Sequence, residues 1–218
     1  MMELAKKIIR PLFPESVINF FKEKEEKKRL KNWGKDKIGP APHSVKQAAI
    51  KNYQEKYKLG VLVETGTYLG DMVQAQKNNF KKIYSIELAE QLFFKAKHKF
   101  EKDKNVTILL GDSGEVLNRI IPEINENAIF WLDGHYSGGI TAQGSKNCPV
   151  LEELNAILDD EKYGHIILID DARCFNGQND YPTIEDITKL VKTKNYQLQV
   201  EDDIIRLEKD GNINEPQG

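Results

Sequence analysis

Along the chain, short apolar runs rich in β-branched residues alternate with stretches whose apolar positions recur near a spacing of 3.6. The runs are "GVLVE" (60–64), "KKIYSIE" (81–87), "VTILLGD" (106–112), "NAIFWLDG" (127–134) and "HIILIDD" (165–171). Between them lie "DMVQAQKNNF", "AEQLFFKAKHKF", "SGEVLNRII" and "CPVLEELNAIL", each with a helical spacing. Such alternation predicts βαβ units and an α/β class: a Rossmann-like, doubly wound, mostly parallel sheet covered on both faces. A last run, "YQLQVEDDIIRLE" (196–208), splits into two strand-like halves around Glu201, Asp202 and Asp203, which predicts a hairpin closing the sheet antiparallel.

Upstream, "SVKQAAIKNYQEKY" predicts a helix opening at Ser44, with Gln47 three residues on as a capping box. Before it, Pro11, Pro14, Pro40 and Pro42 break the segment, and "ESVINFFKEKEEKKRLKNW" is its one long helical stretch. The organisation expected is a helical extension over 1–42, a domain over 43–210 and a frayed tail over 211–218.

Composition narrows the class without naming a function. The 218 residues are 30% charged and 39% hydrophobic with a net charge of −2, as in an ordinary globular protein. Residues 1–60 hold 15 Lys/Arg against 7 Asp/Glu, leaving 17 against 27 for the rest, so the front is basic and the body acidic. No apolar run reaches the roughly 18 to 20 residues that span a bilayer, and "MMELAKKIIRPLF" lacks a secretory pattern, so a cytoplasmic protein is expected. The basic, amphipathic front suits an anionic membrane surface, a second copy of the chain, or docking on its own domain through Phe20 and Phe21. Glu23, Glu25 and Glu26 interrupt its basic residues and no aromatic platform accompanies them, which argues against nucleic acid. Cys148 and Cys174 lack metal-ligand spacing and read as small apolar residues.

The chemistry gathers where the strands end. "VLVETGTYLGD" (61–71) closes its apolar run on Glu64 and turns through Gly66 and Gly70. A dinucleotide fold wants a third glycine and backbone amides facing a pyrophosphate, and a carboxylate at that mouth repels one, which disfavours an oxidoreductase. The pocket should prefer a cation. Glu87 closes the second strand near the spacing of a ribose-binding acid, and Asp112 with Ser113 follows the third, placed to face an adenine edge. Each of the three acids could serve only to cap a turn; their recurrence after successive strands points instead to a nucleoside carrying positive charge, as S-adenosylmethionine does.

Glu64-Thr65-Gly66-Thr67-Tyr68-Leu69-Gly70, then Glu87, then Gly111-Asp112-Ser113 resembles class I S-adenosylmethionine-dependent methyltransferases, and among them the metal-dependent O-methyltransferases of the catechol O-methyltransferase type. The resemblance implies that Glu64, Thr65, Gly66, Thr67, Tyr68 and Gly70 hold the methionine part, Glu87 the ribose, and Asp112 with Ser113 the base, with Leu88 also in the cofactor site.

Asp133, Asp170 and Asp171 end the fourth and fifth strands; Asp170 and Asp171 could serve only to cap a turn, but carboxylates converging on one edge repel unless a cation sits between them. Mg²⁺, or Mn²⁺, is the expected cation, and the resembling enzymes place metal ligands at these strand ends, often with Asn where this chain has Asp171. A metal-bound acceptor oxygen beside the sulfonium methyl implies O-methylation, with Asp133 and His135 as the catalytic candidates; His135 is read either as the base or as a loop histidine bonded to backbone. The catechol enzymes use a lysine that "LDGHYSGG" lacks; Lys146 lies further along. Tyr136, Asn176, Gln178 and Tyr181 give two polar loops that suit a sugar or glycan hydroxyl, as in the similar sugar O-methyltransferases. A phenolic acceptor and a catalytically idle nucleoside-binding module are the alternatives.

Overall fold

Strand β1 (Val61–Thr65) is buried along its whole length, as is β4 (Ala128–Leu132), because each is paired on both sides and covered on both faces. The computed structural model describes residues 15–37, 39–134 and 148–211. β2 (Lys82–Glu87), β3 (Val106–Leu110) and β5 (Ile166–Ile169) complete the parallel part, and β6 (Tyr196–Glu201) with β7 (Ile204–Lys209) forms an antiparallel hairpin. The seven strands run in the order β3-β2-β1-β4-β5-β7-β6, a Rossmann-like sheet whose direction of winding switches between β1 and β4. Asp202 and Asp203 turn the hairpin with positive φ at both positions, which Asp tolerates better than most residues. The expected class and its closing hairpin are both present.

Two apolar layers cover the sheet. On one face α1 (Glu15–Asp36) leads to α2 (His43–Tyr57), and α2 with α3 (Asp71–Gln76) packs over Leu62, Ile83, Ile129, Trp131, Ile166 and Leu168. Phe100, at the end of α4 (Glu90–Lys99), joins that layer. The other face carries α5 (Ser113–Ile120), α6 (Val150–Leu158) and α7 (Ile184–Lys192) over Val61, Val63, Phe130, Ile167 and Ile169. Cys148 is buried in this second layer, as an apolar residue would be. Alternate strand residues thus face opposite layers, and this phase decides where each strand's terminal acid points.

Two local expectations are corrected. Helix α2 begins at His43 after Pro42, and Ser44 makes no capping box; its N–H and hydroxyl donate to Glu26 of α1 at 2.8 and 3.0 Å. That bond, Trp33 buried at the end of α1, and a Lys37–Asp202 ion pair at 2.6 Å attach α1 to the rest of the chain. Phe20 and Phe21 do not dock it, being 62% and 59% exposed. Helix α7 follows the polar loop after β5; Thr183 and Asp186 cap it reciprocally, and Ile187 and Val191 bury its inner side.

No helix among the described residues is long and apolar enough to cross a membrane. Removing the α7 cap in Thr183→Ala is expected to cost about 1 kcal/mol, read as a lowered urea midpoint with an unchanged slope.

Candidate functional site

Glu64 is in phase with Leu62, Glu87 with Ile83, Asp133 with Ile129 and Trp131, and Asp170 with Leu168. Strand alternation therefore turns all four acids toward the face that α2 covers, at the carboxyl edge of the sheet. The parallel ladder carries on past the strand ends, with Asp133 N–H donating to the Thr65 carbonyl at 3.2 Å and Asp170 N–H to the Leu132 carbonyl at 3.0 Å. The acids consequently line up beside the switch point, where an open sheet of this kind leaves a crevice.

The glycine turn is held from several sides. Gly66 has φ +86°, and a Cβ there would lie 2.5 Å from the Asp133 carbonyl oxygen, so no side chain fits between the ends of β1 and β4. Gly70, with φ +69°, is closed in by the Phe100 ring in the same way. Glu87 accepts from the Tyr68 N–H at 2.7 Å with one oxygen and from the Ala89 N–H at 2.9 Å with the other. Its carboxylate thus shapes the Gly66–Gly70 turn while standing at the end of β2. Lys99, from the end of α4, donates to the Leu69 carbonyl at 2.8 Å. Tyr68 and Leu88 face outward, Tyr68 with φ 48°.

Glu64 itself is only 2% exposed. Ser85 donates to its carboxyl at 2.5 Å, and Thr67, 2.6 Å from Ser85, is then left to donate to the serine hydroxyl. Burial, with lesser contributions from Asp133, Glu87 and Asp71, pushes Glu64 up to about 8, against the pull of the Ser85 hydroxyl. Near neutral pH the group is mostly protonated, and a cation brought against it would restore the charged form.

The remaining predicted residues divide. Thr65 is fully buried and accepts the Asp133 N–H, so it secures β4 to β1. Asp112 caps α5 through the Gly114 N–H at 3.0 Å, with Ser113 following it into the helix at the end of β3. His135, Tyr136 and Lys146 lie outside the described residues.

Asp170 and Asp171 depart from expectation. Asp170, 1% exposed, accepts the Lys46 ammonium on one oxygen and the Asp171 N–H at 2.8 Å on the other. Asp171 meets Arg173 at 2.8 Å and Lys46 at 3.6 Å, and Arg173 also pairs with Asp203. These acids do have cationic partners, and the chain supplies them. Burial opposes the Lys46 ammonium, but Asp170, Asp133 and Asp171 outweigh it and hold its pKa above the ordinary value. Among the described residues no three ligating side chains gather around a point that could hold a metal ion. With both Asp170 oxygens engaged and lysine and arginine already among the acids, the described residues do not gather the oxygen ligands expected of Asp133, Asp170 and Asp171 for Mg²⁺ or Mn²⁺.

Lys46 went unread as a site residue, although a signal existed: it opens the inward stripe Lys46, Ala49, Ile50, Tyr53 of α2. A lysine in such a stripe needs a buried partner. Tyr53 and Tyr57 donate to Glu208 of β7, Tyr53 at 2.8 Å, and so fasten the helix that carries it.

No protein-family model and no curated protein matches the chain. Solved structures do resemble it. A methyltransferase of Podospora anserina bound to S-adenosylhomocysteine superposes with a TM-score of 0.58 at 14% identity, covering 95% of each chain. An O-methyltransferase of Streptomyces achromogenes involved in tomaymycin synthesis, in complex with S-adenosylmethionine, gives 0.56 at 10%, over 85% of this chain and 87% of that one. An O-methyltransferase of Bacillus cereus in complex with S-adenosylhomocysteine gives 0.56 at 12%, over 95% and 97%. At these identities the likeness is one of fold.

Two outcomes are expected. Glu64 binds a proton in the folded state up to about 8 but only up to about 4.5 when unfolded, so its contribution to stability is complete below 4.5 and is lost as pH rises through 8. Urea unfolding between those limits should show wild-type stability falling, relative to Glu64→Gln, with a slope approaching about 1.4 kcal/mol per pH unit. Gly66→Ala should lose about 2 kcal/mol or more from its positive φ and the clash with Asp133, measured in the same way.

Proposed function

We propose that the chain is a methyltransferase that takes its methyl group from S-adenosylmethionine and gives it to a hydroxyl of a small, polar acceptor, a sugar or glycan being the class that suits it best. The observation that carries this reading is the row of acids in one phase around the Gly66–Gly70 turn, with buried Glu64 held at about 8. A site of that composition rejects phosphates and favours a ligand whose charge is positive. The sulfonium and ammonium groups of S-adenosylmethionine supply it, and Glu87 and Asp112 stand at the successive strand ends where a ribose and a base would follow.

The transfer then needs an oxygen held in line with the sulfonium methyl. The acceptor's lone pair forms the new C–O bond as the C–S bond breaks; sulfur keeps that electron pair and becomes a neutral thioether. The hydroxyl proton leaves to a carboxylate and on to water. Asp133 is the candidate acceptor of that proton, because its backbone touches Gly66 at the donor turn while its charge acts on both Glu64 and Lys46. The Streptomyces and Bacillus structures, both of O-methyltransferases, support oxygen as the acceptor atom. Asn176 and Gln178 add polar groups after β5, although Asn176 spends one contact on the Gln178 N–H at 3.1 Å and Tyr181 packs edge-on against Phe175.

Calorimetry tests the donor. S-adenosylhomocysteine should bind and NAD⁺ should not, and Glu87→Ala should weaken the former by roughly tenfold or more through loss of a charge-assisted pair of bonds to the turn. Binding of NAD⁺ in preference would overturn the reading. Incubation with isotope-labelled S-adenosylmethionine and matched sugar and catechol panels tests the acceptor: a labelled sugar ether is expected, and a labelled catechol ether alone would replace the sugar by a phenol.

A further inference from the structure

The acids after β5 carry a counter-charge that belongs to the protein. Lys46 reaches them from the first turn of α2, and the two partners of the ion pair are 124 residues apart in sequence. The pair is interior: the Lys46 side chain is 11% exposed and that of Asp170 1%. Its geometry is fixed at both ends. Asp170 is anchored by the Asp171 N–H and by its place in the β4–β5 ladder, and α2 is anchored by Tyr53 and Tyr57 on Glu208 and by Glu26 on Ser44. Arg173 completes the set by joining Asp171 to Asp203.

We propose that Lys46 is a tethered cation standing in for a divalent metal, a positioning residue that neutralises and orders the carboxylates after β4 and β5 so that this site works without a metal ion. The inference rests on the methyltransferase reading for what the site does, but not for how its charge is balanced. Two physical points favour a tethered ammonium over a shared site. A hard dication needs several oxygens with lone pairs turned to one point, and here one oxygen of Asp170 faces a backbone N–H and the other an ammonium. A dication brought within about 4 Å of that ammonium would also be repelled by a like charge in a medium far less screening than water.

Mn²⁺ is the probe, titrated into the full chain and followed by the loss of the free-ion electron paramagnetic resonance signal, with and without S-adenosylhomocysteine. Wild type should hold no ion at the site, and neither Mg²⁺ nor a chelator should move its melting temperature or its affinity for S-adenosylhomocysteine. Lys46→Met should gain a bound equivalent of Mn²⁺, tighter than wild type by roughly tenfold or more, and should melt higher when Mg²⁺ is added. Lys46→Met with Asp170→Asn should lose both gains, and Lys46→Arg should behave as wild type. A stoichiometric Mn²⁺ site in wild type overturns the inference, whether or not Lys46→Met folds; so does a folded Lys46→Met that gains none. Failure of S-adenosylhomocysteine to bind would sink the methyltransferase reading alone, since the metal titration is read without it.

Discussion

Carboxylates that share a strand phase in a parallel sheet are forced onto one face and one edge, and their charge must be answered there. Glu64, Glu87, Asp133 and Asp170 are such a set. Isolated in a dry interior, any of them would be strongly destabilising as an anion. The chain meets the problem differently at different strand ends. Glu64 takes a proton and a serine hydroxyl; Glu87 takes two backbone N–H groups; Asp170 takes an ammonium and a backbone N–H.

The choices sort the edge into two halves. Beside β1 and β2 the negative charge is conditional, since burial keeps Glu64 largely protonated near neutral pH until something positive arrives, and Glu87 spends its oxygens on shaping the turn against which that ligand would lie. Beside β5 the balance is permanent, made by residues fastened to α2 and to the turn after the strand. A donor that brings its own positive charge and an acceptor that is neutral would each find a matching half. Asp133, between them, feels both.

Much of this could be read from residue order. Five short apolar runs rich in β-branched residues, with helical spacings between them, carried the parallel sheet, and the acid closing each run carried the carboxyl edge. Asp202 and Asp203, poor strand residues between two strand-like halves, carried the hairpin. What escaped was long-range pairing. No local spacing links Lys46 to Asp170, so the demand for a cation was legible while its source was not, and a metal took the place of a lysine in the expectation. Helix α7 escaped because Pro182 and the polar stretch before it read as a loop, hiding the Thr183 and Asp186 cap. Ser44 looked like a cap because its hydroxyl has the right neighbours in sequence, yet Glu26 reaches it first in space. Phe20 and Phe21 suggested a docked face, but α1 is held from its other half, through Glu26, Trp33 and Lys37.

The claim at the centre is that a buried, protonated Glu64 becomes the anionic partner of a positively charged donor. Calorimetry of S-adenosylmethionine binding near neutral pH, repeated in buffers of different ionisation enthalpy, counts the protons released. Wild type should release close to one proton on binding and Glu64→Gln none. Binding by wild type with no proton released, or with the same release as Glu64→Gln, would contradict the account.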